Sequence, residues 1–75
     1  MSIAFVLINT DMGSELDVTK ELKDLKVVSD VYGVYGVYDL VLRLEADSLD
    51  DIKDAISQHI RTIKGVKSTL TMIVM

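Results

Sequence analysis

From Ile3 to Ile8 the chain is an unbroken apolar run, rich in β-branched side chains and closed by Asn9-Thr10-Asp11. That length predicts a strand with Ile3, Phe5 and Leu7 on one face and Ala4, Val6 and Ile8 on the other, so both faces need cover. Gly13-Ser14-Glu15 then opens a helix with acids first and Lys20, Lys23 and Lys26 late, as the helix dipole favours. Its apolar stripe is Val18, Leu22 and Leu25, with Leu16 at the margin. From Val27 to Glu45 the pattern is β again, broken in the middle by Gly33 and Gly36, which predicts a hairpin turning near Gly36-Val37. On its second arm Leu40, Leu42 and Leu44 face one way, and Asp39, Val41, Arg43 and Glu45 the other.

Asp47-Ser48-Leu49-Asp50-Asp51 is a strong helix start, with Ser48 as cap and acids in the first turn. Leu49, Ile52, Ile56, Ile60 and Ile63 form the stripe to be buried, Arg61 and Lys64 suit the C-terminal end, and Gly65 fits a left-handed stop. Val66 to Met75 closes the chain as a strand.

The predicted order is β-α-β-β-α-β, the ferredoxin-like split βαβ arrangement, an α+β fold. Right-handed crossovers place the first and third strands at the centre of a four-stranded antiparallel sheet, with both helices on one face. There is no Pro and no linker, so residues 1–75 are expected to form one domain. The face without helices would be an aggregation hazard if left bare. It is better explained as the surface on which a second copy packs, sheet to sheet, in a dimeric α+β barrel.

Composition sharpens this expectation. A chain of 75 residues removes only ~60–65% of its unfolded surface from water, and a core of that size rarely supplies more than ~3–5 kcal/mol net. With no Cys there are no disulfides, and one His without Cys excludes a Cys/His zinc staple. Yet 49% of the residues are hydrophobic and the mean hydropathy is +0.33. Oligomerisation is the remaining supplement. The net charge of −4 and scattered basic residues argue against a nucleic-acid-binding face. The N-terminus carries no basic signal region and no apolar stretch reaches the ~18–20 residues of a membrane span, so a cytoplasmic protein is expected.

Two segments carry a resemblance. Val34-Tyr35-Gly36-Val37-Tyr38-Asp39-Leu40-Val41-Leu42 resembles the G-x-Y-D hairpin of the ligand-binding (RAM) domain of Lrp/AsnC transcription regulators. Gly65-Val66-Lys67-Ser68-Thr69-Leu70-Thr71-Met72-Ile73-Val74 is similar to that family's closing G-V-x-S-T-x-T strand. Ala4-Phe5-Val6-Leu7-Ile8 and the Asp47-Ser48-Leu49 helix start fit as well, so the resemblance spans essentially the whole chain. It implies face-to-face dimers that assemble further, and amino-acid effectors bound between dimers. Family members usually carry an N-terminal helix-turn-helix domain, whereas this sequence begins at the first strand. The expectation is a stand-alone RAM domain that does not read DNA itself, with a full-length regulator of the family as a further partner.

The candidate ligand residues are Tyr35, Gly36, Tyr38 and Asp39 around the hairpin and Ser68, Thr69 and Thr71 on the closing strand. An amino acid brings an ammonium and a carboxylate, so its pocket needs an anion, N–H or hydroxyl donors and a side-chain cavity. Asp39 could supply the anion and the backbone around Gly36 the donors; the competing reading is that Asp39 caps the turn. Tyr32, Tyr35 and Tyr38 recur every third residue, a period that a turn or bulge must interrupt. For any one tyrosine, ordinary edge packing competes with a place in a pocket wall. For any one of the hydroxyls the competing reading is β-propensity on a half-exposed edge. The closing strand is not a neighbour of the Asp39 arm in the expected sheet, so a pocket using both calls for more than one subunit. Arg43 lies too far along the strand to pair with Asp39 and needs another carboxylate, with the partner chain one source. His59 has no companion ligand and is expected to pack at the core edge.

Three functional classes compete. A regulatory module that senses an amino acid or similar metabolite fits both matching segments. A small enzyme on this fold needs a base, metal or cofactor site, and one His, no Cys and no phosphate-cradling glycine loop leave none in view. No Arg follows the first strand to hold phosphate, and Phe5 alone is no RNA-stacking platform. No enzyme activity, metal or cofactor is therefore expected. A purely structural oligomerisation module differs from the first class only through Asp39 and its neighbours.

Overall fold

The computed structural model describes Met1–Met75. Its elements are β1 (Ser2–Thr10), α1 (Glu15–Lys23), β2 (Val28–Gly33), β3 (Leu40–Ala46), α2 (Leu49–Ala55) continuing into a π-helical turn (Ile56–Ile60), and β4 (Val66–Ile73). The four strands form one antiparallel sheet in the order β2-β3-β1-β4, with β1 and β3 at the centre. This is the ferredoxin-like order, and both helices pack on the same face. No helix is long and apolar enough to cross a membrane.

One face of the sheet makes the core. Ala4, Val6 and Ile8 of β1 and Leu40, Leu42 and Leu44 of β3 meet Val18 and Leu22 of α1 and Ile52, Ile56 and Ile60 of the second helical segment, all buried. Each fully buried aliphatic side chain contributes ~1.5–3 kcal/mol over its exposed state. Thr10 continues the inward parity of β1 and is the buried polar residue of the chain.

The first helix begins after Ser14 but ends at Lys23, so Lys26 lies beyond it, and Leu16 projects into solvent rather than bordering the stripe. The second begins as expected, with Ser48 Oγ accepting from the Asp51 N–H at 3.2 Å. It then widens into the π-turn, which keeps both Ile56 and Ile60 inward, while Ile63 packs against the core from beyond the helix. The closing strand stops at Ile73, short of the expected Met75. Gly65 has φ +101° and is buried; a Cβ there would stand 2.8 Å from Ser14 Cβ. Its carbonyl accepts from the Asp11 N–H at 2.8 Å, which joins the entries of α1 and β4. A glycine is therefore needed for both conformation and space.

The other face carries no helix. The register lines up Tyr32, Val41, Leu7 and Leu70 across all four strands, and beside that row Asp30, Arg43, Phe5 and Met72. Leu70 and Met72 remain 46% and 48% exposed, too much for core residues. Arg43 finds its carboxylates within its own chain: Nη1 is 2.7 Å from Glu45 Oε2 and 3.9 Å from Asp30 Oδ2. The partner chain is not needed for that charge. A register shift between Val28 and Asp30 sets Ser29 where its hydroxyl donates to the Arg43 carbonyl and accepts from Arg43 Nη1.

Candidate functional site

The hairpin connection runs from Val34 to Asp39 with Gly36-Val37 at its centre, and the Val34 N–H donates to the Asp39 carbonyl at 2.9 Å. Gly36 has φ +146°, a region that disfavours side chains. Tyr32 is in β2, whereas Tyr35 and Tyr38 are in the connection; Tyr35 is fully exposed and Tyr38 half-buried. The third-residue spacing is thus interrupted by the loop itself.

Asp39 stands just outside β3, so strand alternation does not direct its side chain. Its N–H donates to the Ile8 carbonyl at 2.9 Å. Its Oδ2 accepts from the Thr10 N–H at 2.8 Å and from Thr10 Oγ1 at 3.1 Å. The carboxylate therefore extends the β1·β3 ladder beyond its last regular pair, Ile8 with Leu40. This is the architectural role, and it occupies one oxygen. Oδ1 makes no hydrogen bond within the chain and remains a free anionic acceptor on a half-buried residue. Both readings of Asp39 are thus compatible with one geometry, and the sequence did not single out Thr10. The signal was present: Thr10 is the hydroxyl that follows Ala4, Val6 and Ile8 in the same parity.

On β4 the candidate hydroxyls separate onto two faces. Thr69 pairs with Ile8 and Thr71 with Val6, which puts them on the helix side of the sheet; Ser68 pairs with Asn9 on the open side. Asn9 Nδ2 donates to Ser68 Oγ at 3.4 Å, a weak bond. Thr10 pairs with Val66, so β1 ends between Asp39 on one flank and the start of β4 on the other. One subunit brings the two sets to the same end of the sheet but keeps a strand between them. A groove of about 550 Å³ runs between β4 and the π-turn, lined by Ser68, Thr69 and Thr71 together with Ile56, Arg61 and Lys67. The two cations were not among the sequence candidates; Lys67 occupies the unspecified position of the closing motif. His59 is exposed on the π-turn rather than packed, and borders a second groove with Asp47, Asp51 and Asp54.

Comparison with known proteins gives a consistent picture. The family described as the Lrp/AsnC ligand binding domain matches residues 3–75. The crystal structure of FFRP-DM1 is 37% identical, with a TM-score of 0.96 and 100% of each chain covered. Hypothetical protein PHS023 from Pyrococcus horikoshii is also 37% identical, with a TM-score of 0.94, and covers 100% of this chain and 90% of its own. The transcriptional regulator NMB0573 of Neisseria meningitidis, solved as an L-Met complex, is 13% identical and shares the fold alone, with a TM-score of 0.90 over 99% of this chain and 49% of its own. No curated protein matches the sequence. With the family matched over nearly its full length, and with its sheet order and both motif segments in place, the chain belongs to the Lrp/AsnC ligand-binding domain family.

Proposed function

We propose that this domain is a regulatory sensor of an amino acid or closely related metabolite, acting through its assembly state. Asp39 carries the proposal: one carboxylate oxygen is fixed by Thr10 and the other is left free. A fixed anion with an open oxygen suits an ammonium group, because its orientation is already set before the ligand arrives. Gly36 supplies exposed backbone donors, Tyr35 and Tyr38 the walls, and Ser68, Thr69 and Thr71 the hydroxyls, with the site completed where subunits meet. The family supports this class of function, and the L-Met complex of the similarly folded NMB0573 supports an amino acid as the ligand.

The open face supports a homodimer. Tyr32, Val41, Leu7 and Leu70 form a continuous apolar row that a second sheet, packed ~10 Å away, would remove from water. Dimers then associate further around the hairpin ends. Residues 1–75 act as a single cytoplasmic unit that makes no direct nucleic-acid contact, and a full-length regulator of the same family is its protein partner. No enzymatic step is assigned to it.

The test is calorimetry and thermal melting against the twenty amino acids. A ligand that binds only the folded protein, at ~100 times its Kd, raises stability by ~2.7 kcal/mol. The proposal expects at least one amino acid to do so, with a shift in sedimentation; absence of any shift would leave an oligomerisation module without effector.

A further inference from the structure

The groove beside β4 differs in charge from the rest of the molecule. The chain holds 12 acidic and 8 basic residues, yet no carboxylate lines this groove, and Arg61 and Lys67 both do. Neither cation is paired, since every ion pair in the chain belongs to Arg43. The acids are gathered elsewhere: a second groove, beside α2, is bordered by Glu45, Asp47, Asp51 and Asp54 with Lys26 as its one basic side chain besides His59.

The hydroxyls point the same way. Thr69 and Thr71 are two residues apart on the helix side of β4, ~7 Å along the strand, and neither hydroxyl makes a hydrogen bond within the chain. Their O–H groups are free to donate. A guanidinium, an ammonium and two free hydroxyls on one apolar floor at Ile56 form a donor set without an acceptor of matching charge. Taken singly, each cation has an ordinary reading, Arg61 at the end of the π-turn and Lys67 as an exposed charge on the edge strand β4. What those readings leave over is their shared place in one groove with two free hydroxyls and no carboxylate.

With the ammonium at Asp39 and the α-carboxylate at the backbone donors around Gly36, we infer that this groove takes a further carboxylate, so that the preferred ligand carries two carboxylates rather than one. This inference rests on the effector reading for Ser68, Thr69 and Thr71 and names its ligand class: a dicarboxylic amino acid or the corresponding dicarboxylate. A bidentate carboxylate–Arg61 contact, with Lys67 as the second charge, discriminates the acid from its amide.

The experiment compares binding of L-glutamate, L-glutamine, succinate and inorganic phosphate to the intact protein and to its Arg61→Gln/Lys67→Gln variant. Both side chains are exposed, so the variant is expected to melt as the parent does. L-Glutamate should bind about tenfold or more tightly than L-glutamine, as a charge-assisted hydrogen bond allows. The ratio should fall toward one in the variant and at high salt. Equal binding of the two amino acids would overturn the inference and leave the amino-acid reading standing. Binding of succinate alone, lost in the variant, would uphold the groove and overturn the amino-acid reading. Phosphate binding without succinate binding, a ratio unchanged in the variant, or no binding of any probe would overturn the carboxylate assignment.

Discussion

Thr10 gives both its backbone N–H and its hydroxyl to a single oxygen of Asp39, at 2.8 and 3.1 Å, which makes the carboxylate part of the sheet as well as a candidate ligand group. The two roles separate by substitution. Asp39→Asn keeps an oxygen for Thr10 and removes the charge, so the melting temperature should hold while binding of an ammonium-bearing ligand is lost. Asp39→Ala removes both and should cost ~1–3 kcal/mol in addition, because the Thr10 donors lose their acceptor. Retained ligand binding in Asp39→Asn, by calorimetry, would assign the residue to architecture alone.

Leu70 faces Leu7 on the helix-free side of the sheet and is 46% exposed in the single chain. Leu70→Glu should therefore leave the subunit folded, within ~0.5 kcal/mol. In a sheet-to-sheet dimer each copy would bury an unpaired carboxylate, at several kcal/mol per charge. Sedimentation velocity should show the variant as a monomer with unchanged circular dichroism; a variant that remains dimeric would move the interface elsewhere.

Gly65→Ala combines a positive φ with a clash at 2.8 Å against Ser14 Cβ. A loss of ~1–3 kcal/mol is expected from the backbone conformation, with the clash adding to it. Denaturant titration reads it, and Gly13→Ala is the control: φ is +84° there but the space is open, so only the backbone penalty should appear.

Leu42 is fully buried at the middle of the core, whereas Leu16 lies in solvent on α1. Leu42→Ala should cost ~2–5 kcal/mol, enough to threaten a domain of this size. Leu16→Ala should change stability by no more than ~0.5 kcal/mol. Urea unfolding of the two variants checks the assignment of core and surface.

The elements were legible in the sequence because their periods are clean. Val6 with Ile8, Leu40 with Leu42 and Leu44, and Ile52 with Ile56 and Ile60 each name a face without any knowledge of their partners. Motif spacing also led to Asp39. What the sequence hid were relations between residues far apart in the chain. Nothing local couples Thr10 to Asp39, 29 positions away, or reveals that Arg43 takes Glu45 from its own strand. The π-turn was hidden for a different reason: Ile56 and Ile60 keep the four-residue spacing of an α-helix, so the pattern is unchanged while the turn widens. Arg61 and Lys67 read as ordinary solvated charge in the sequence, and only the fold brings them to one groove.

The antiparallel strand β1 reaches the hairpin carboxylate through Thr10, its last residue, and offers Phe5 and Leu7 to the uncovered side of the sheet from its middle. Tugging on that carboxylate therefore tugs on the same rod that a second molecule would rest against. A ligand held at one end and a copy docked along the length would thus share a single extended segment.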